Sequence, residues 1–158
     1  MTYYIDIQNA TDNPLPISED ELTQLASLAL KDQQADAELT IRLVTPTEMI
    51  DLNHTYRKQN KTTNVLAFPC SLPEGIKLDC PLLGDVIICP EVLVEESKQF
   101  NKSLKEHWAL IVIHGVLHLL GYDHIEEKDA LIMQAIEVKL LAELGHANPY
   151  DQEDYNLE

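Results

Sequence analysis

Apolar positions along this chain recur with two periods, and the switches between them predict its elements. Residues 3–8 alternate and predict a first strand. Ser18 and Glu21 stand at capping-box spacing ahead of Leu22, Leu25, Ala26 and Ala29, so an amphipathic helix follows to about residue 31. Leu39, Ile41 and Leu43 alternate with polar residues in a second strand. Thr45-Pro46-Thr47-Glu48 starts a second helix with proline in its first turn, continued by Met49, Leu52, Asn53 and Tyr56. Residues 64–68 read as a short third strand closed by Pro69, and residues 86–88 as a buried fourth. Between them, residues 69–81 form a loop long enough to suspect function.

Three more helices are predicted. Pro90 opens one that runs to about residue 100. Ser103 and Glu106 cap the next, which carries His107, His114 and His118. Residues 126–144 form the last, stopped by Gly145. Residues 109–120 are apolar nearly all round, as a helix buried in the centre of a domain must be. The order βαβαββααα predicts an α/β (α+β) fold, with a small mixed four-stranded sheet packed with about five helices around that buried helix. Residues 1–148 are expected to form a single domain, followed by a loose acidic tail at residues 149–158.

Composition narrows the class. The chain has 158 residues, 45% of them hydrophobic and 24% charged, which suits one soluble domain with a real core. The longest apolar stretch, residues 108–113, is far short of the ~20 residues that span a bilayer. The first ten residues lack the basic and apolar regions of a signal peptide. Cys70, Cys80 and Cys89 are an odd count with no CxxC pair, so reduced thiols and a cytoplasmic address are expected. Cys70 and Cys89 read as small buried hydrophobes.

A net charge of −16 argues against a polyanionic partner, yet its distribution changes that picture. Residues 52–73 hold Arg57, Lys58 and Lys61 with no acid, and residues 97–105 hold Lys98, Lys102 and Lys105, again with none. Six of the eleven basic residues therefore lie apart from all 27 carboxylates, and such strips can guide a phosphate chain. On charge alone, two solvated basic faces explain them equally well.

The candidate chemistry lies in His114-Gly-Val-Leu-His118-Leu-Leu-Gly-Tyr-Asp-His124. His114 and His118 are one helical turn apart, so both rings leave the same face. Gly121 ends the helix and lets the chain return His124 as a third ligand. Three neutral imidazoles suit one zinc ion, with a fourth position open to water or substrate, and make the chain a candidate metal-dependent hydrolase. The spacing HxxxHxxGxxH also occurs in a large class of zinc peptidases, where a glutamate general base follows the first histidine. Here that position is Gly115, so the usual peptidase base is missing. Gly115 costs a mid-helix residue ~1 kcal/mol relative to alanine, which fits either a close approach of substrate or backbone, or simple packing. His54, His107 and His146 carry no ligand spacing and are expected at the surface or in the core. Trp108 is expected in the core, and Tyr56 fits either the core or a stack against unpaired bases.

With these residues in view, the sequence resembles the YbeY family, single-strand-specific metallo-endoribonucleases of bacterial ribosomal RNA maturation. The histidine motif carries the resemblance, with Leu52-Asn-His-Thr-Tyr-Arg57, Thr63-Asn-Val-Leu-Ala-Phe-Pro69, Leu83-Gly-Asp-Val-Ile-Ile-Cys89 and His107-Trp108 in order. Gln59, Asn60, Thr62 and Ala67 depart from the family's Arg-x-Lys-Asp-x-Pro-Thr-Asp/Asn-Val-Leu-Ser pattern. The resemblance implies that His114, His118 and His124 bind zinc and that Arg57 is a catalytic or RNA-contacting residue, with His114 counted beside it. It also implies a role in 16S ribosomal RNA 3′ end maturation, ribosome biogenesis and quality control. Partners would be single-stranded precursor RNA and the small ribosomal subunit or its assembly factors, such as an assembly GTPase, with no DNA or membrane partner.

Read on its own, Arg57 fits a salt bridge at a helix end; beside the resemblance, its planar fork suits the charge developing on a phosphodiester. Asp123 and Asp85 are candidates for orienting a ligand or moving a proton, although residues in such positions more often serve a turn or cap. Two other readings stand beside the nuclease. One is a zinc peptidase or amide hydrolase with a different base. The other is a non-catalytic ribosome-assembly factor in which the metal is a structural clasp, although structural zinc is normally closed by four protein ligands.

Overall fold

The computed structural model describes residues 2–70 and 80–151. Among these, β1 (Thr2–Asn9), β2 (Asp36–Leu43), β3 (Val65–Pro69) and β4 (Leu82–Ile88) form one sheet in the order β1-β2-β4-β3. β1, β2 and β4 run parallel, and β3 pairs antiparallel with β4 at the edge. The sheet is thus mixed, as expected. The helices are α1 (Glu19–Leu30), α2 (Pro46–Arg57), α3 (Pro90–Gln99), α4 (Leu104–Leu119) and α5 (Glu127–Glu143).

Side-chain alternation decides which face of the sheet holds the main core. Ala37, Leu39, Ile41 and Leu43 of β2 are all fully buried, and β1 sets Tyr3, Ile5 and Ile7 beside the first three. α4 crosses this face with Leu110, Ile111, Val112 and Ile113 at 0–1% exposure. Each such side chain contributes about 1.5–3 kcal/mol through burial. The other face carries a smaller core, in which Met49 and Leu52 of α2 cover Leu66 and Ile87. Trp108 is 2% exposed and belongs to the main core.

Capping follows the sequence closely. Ser18, Thr45 and Ser103 each accept the backbone N–H three residues on, satisfying one orphan donor at the start of α1, α2 and α4. Gly115 lets α4 settle close to the sheet: a Cβ there would lie 2.6 Å from Val86 Cγ1. Its use is therefore packing against β4.

Several expectations change. β4 begins at Leu82, four residues earlier than predicted, and its register against β2 shifts at Leu83, the extra residue between the Glu38–Leu82 and Leu39–Gly84 pairs. Cys70 is exposed at the end of β3, whereas Cys89 is buried as expected. The start of the supposedly loose tail is placed: Pro149–Asp151 form a 3-10 turn, Pro149 is buried, and Tyr150 packs on the main core. Most of the loop at residues 69–81 lies outside the described residues, as does the tail from residue 152. No described helix is long and apolar enough to cross a membrane.

Candidate metal centre and cleft

α4 ends where the histidine motif needs it to. Gly121 has φ +104°, its N–H donates to the His118 carbonyl, and the Tyr122 N–H reaches back to Leu117. This pair of bonds is a Schellman motif, which turns the chain sharply. Tyr122 Oη donates to Gln33 Oε1 at 2.9 Å, fastening the turn to the segment after α1. His124 is thereby folded back over the last turn of α4.

The three rings converge. His114 and His118 centroids are 4.6 Å apart, and His124 lies 5.2 Å and 5.0 Å from them. One nitrogen from each ring lies within 4.8 Å of the other two, and the His114 and His118 Nε2 atoms are 3.1 Å apart. Three imidazoles on one zinc at ~2.0–2.1 Å require nitrogens roughly 3.3 Å apart, so small ring adjustments satisfy an ion. Burial, then the neighbouring His114 and His124, push the His118 pKa down to about 4. His118 is therefore neutral at pH 7, the state a metal ligand requires. These residues could hold a metal ion.

Behind His114 stands a carboxylate that the motif does not announce. Glu137 of α5 is fully buried, and its Oε2 lies 2.7 Å from His114 Nδ1. Its other oxygen accepts the Tyr150 hydroxyl at 2.6 Å. A signal did exist: Glu137 interrupts the buried stripe Met133, Leu140, Leu141 at helical spacing, and a carboxylate there demands partners.

In front of the histidines lies an open cleft of about 430 Å³. His118, Asp123, His124 and Ile125 form one wall, and Tyr56, Arg57 and residues 65–68 the other. Arg57 is the last residue of α2, which ends on Lys58 in the left-handed region at φ 60°. The buried Asn53 donates to the Lys61 carbonyl at 2.8 Å, fixing the loop beyond Arg57. The Arg57 side chain is exposed and has no carboxylate partner among the described residues, so the helix-end salt bridge is absent there. Tyr56, 64% exposed, meets the Phe68 ring at 5.1 Å.

The cleft draws Tyr56, Arg57 and residues 65–68 from one of the two acid-free strips. The other strip lies at the opposite end of α4, where Lys105 lines a separate groove.

The two aspartate candidates have different surroundings. Asp123 Oδ1 accepts the backbone N–H groups of His124 and Ile125 at 2.6 and 3.2 Å, so it caps the turn. Asp85 is exposed, paired with Phe68 and Thr40 in the sheet, on the face away from α4. Among the remaining histidines, His54 is exposed, His146 half-buried, and His107 buried with Nε2 2.9 Å from Glu96.

Comparison with known proteins agrees with this architecture. A family model described as Endoribonuclease YbeY matches residues 6–145. A Legionella pneumophila protein named Endoribonuclease YbeY is 72% identical over 158 residues, covering 100% of both chains. Its Pseudomonas putida namesake is 51% identical over 150 residues, 95% of this chain and 94% of that one. The solution structure of a Thermotoga maritima protein is similar with a TM-score of 0.62 and 28% identity, covering 98% of this chain and 99% of the other. The chain belongs to the YbeY endoribonuclease family.

Proposed function

We propose that this protein is a metal-dependent endoribonuclease specific for single strands, with one zinc ion held by His114, His118 and His124. The observation that carries this reading is three imidazole nitrogens meeting beside a cleft that also holds the Arg57 guanidinium, which has no carboxylate partner among the described residues. The names of its relatives support RNA as the substrate. The family resemblance supports ribosomal RNA precursors, with action at the 16S 3′ end in ribosome maturation and quality control.

A divalent ion held by His114, His118 and His124 would supply Lewis acidity and make water at the site more acidic. Arg57 clasps non-bridging phosphate oxygens with its planar fork and favours the transition state, where their charge grows. Tyr56, backed by Phe68, offers an exposed ring on which an unpaired base stacks, a contact worth about 1–3 kcal/mol. A paired base keeps its faces inside the helix, which gives the preference for single strands. The peptidase reading loses ground: Gly115 faces Val86, and Asp123, the one acid among the described cleft residues, spends an oxygen on its turn.

The test is parallel incubation with single-stranded RNA, duplex RNA and casein, with and without chelator. Only single-stranded RNA should be cut, chelator should abolish the cut, and zinc should restore it. Arg57→Ala should keep its zinc while cleavage falls about tenfold or more. Unchanged cleavage would remove Arg57 from the mechanism, and digestion of casein alone would favour the peptidase. The acidic surface, net charge −16, suits docking on basic proteins of the small ribosomal subunit. Equal co-sedimentation with subunits at low and high salt would exclude a charge-driven contact.

A further inference from the structure

Glu137 is the carboxylate that the reaction scheme leaves unused. It is fully buried among apolar neighbours on α5, where an unpartnered carboxylate would be costly. Both its oxygens are engaged at charge-assisted distances, one by His114 Nδ1 at 2.7 Å and one by Tyr150 Oη at 2.6 Å. With Tyr150 Oη donating to one oxygen, the short contact at the other is made by a carboxylate that accepts from His114 Nδ1–H. In that tautomer Nε2 of His114 offers a lone pair, and this nitrogen lies 3.1 Å from His118 Nε2. Tyr150 is held in turn: its backbone N–H donates to Asn148 Oδ1 at 2.8 Å within the turn Pro149–Asp151.

We infer that Glu137 and Tyr150 are positioning residues of the metal seat. Glu137 selects the His114 tautomer whose Nε2 lone pair meets the ion, and Tyr150 makes the C-terminal turn part of that seat. The inference rests on the reading that the triad holds an ion. Without the carboxylate, the His114 ring can protonate Nε2 and present a donor where a lone pair is needed. Carboxylates behind metal-bound histidines fix tautomer and ring orientation in this way, and losing one costs about 10–100-fold in affinity.

Two measurements on the full chain decide the matter. Nitrogen-15 spectra of the metal-free wild type should show His114 protonated at Nδ1 and bare at Nε2. Zinc competition against a chromophoric chelator should then show a Kd raised about 10–100-fold in Glu137→Gln. Tyr150→Phe should raise it roughly two- to tenfold, the effect of one lost hydrogen bond. The gain in Tm on adding zinc should shrink in the same order, read against each variant's own metal-free melt. A purely structural role would lower the metal-free melts and leave zinc affinity within twofold, which would overturn the proposal. A His114 protonated at Nε2 in the metal-free wild type would overturn it as well. Should Glu137→Gln fail to fold, the wild-type spectrum and Tyr150→Phe still decide. A wild type that binds no zinc would sink the nuclease reading, while the tautomer still reports on Glu137.

Discussion

Near the start of α4, His107 is 1% exposed with Nε2 2.9 Å from Glu96; two turns on, His114 is 2% exposed with Nδ1 2.7 Å from Glu137. By burial and partner the two are nearly the same residue. Their surroundings differ. Glu96 also takes the Asn64 amide at 3.2 Å, so the His107 pair belongs to a network tying α4 to α3 and the residue before β3. His114 instead turns Nε2 towards two further imidazoles beside an open cleft. A buried histidine with a carboxylate is thus ordinary core chemistry. Convergence of lone pairs on accessible space is what separates a site from a strut.

The sharpest way to break this comparison is to remove one nitrogen at each end. His118→Ala takes one imidazole of the proposed seat away without orphaning Glu137, so the protein should fold, hold no zinc, and cut RNA about a hundredfold more slowly or worse. His107→Ala should keep its zinc and lose about 1–3 kcal/mol of stability, because Glu96 and packing around α3 are left short of a partner. Metal analysis, an RNA gel and a thermal melt of each variant check both. Zinc loss in His107→Ala would show that the two ends are one coupled unit.

The difference between the ends was only partly legible in the sequence. The triad was, because i, i+4 spacing and a helix-stopping glycine are local geometry that Gly121 executes as written. The five helices and four strands of the described residues were also legible, from caps at α1, α2 and α4, alternation in β1 and β2, and proline and glycine punctuation elsewhere. Glu137 was legible only as a carboxylate set in an apolar helical stripe; its partner lies on another helix, which spacing along α5 does not name. Asp123 looked like a ligand's companion because it adjoins His124, but adjacency in sequence placed it in the turn, with its Oδ1 on the backbone. Cys70 was misjudged because the end of an edge strand gives its side chain no cover. Arg57 faces the histidines only through the packing of α2 and β3, a tertiary fact that spacing could not supply.

A second, smaller effect concerns how close α4 lies to the sheet beside the site. Gly115→Ala places a methyl 2.6 Å from Val86 Cγ1. Overpacking costs about 1–3 kcal/mol, and the better helix former returns ~1 kcal/mol. The net should be a Tm lower by a few degrees, with zinc still bound. Val86→Ala in the same chain should relieve the clash, so that the double variant is more stable than the two single losses predict by ~0.5 kcal/mol or more. Strict additivity would mean that α4 shifts to avoid Val86, and that Gly115 does not set the spacing.

A pH effect in the metal-free protein also distinguishes the site. Burial and two imidazole neighbours hold His118 at about 4, below the ordinary 6.5. Between these values the unfolded chain takes up a proton that the folded chain refuses. The folded state is therefore at full strength from this source above pH 6.5 and loses it as pH falls towards 4. His118→Asn removes the titrating ring, so its urea midpoint should fall less steeply over that window than the wild type's. Equal slopes would mean that His118 takes its proton as readily folded as unfolded, and that the cluster does not keep this ring ready for a metal.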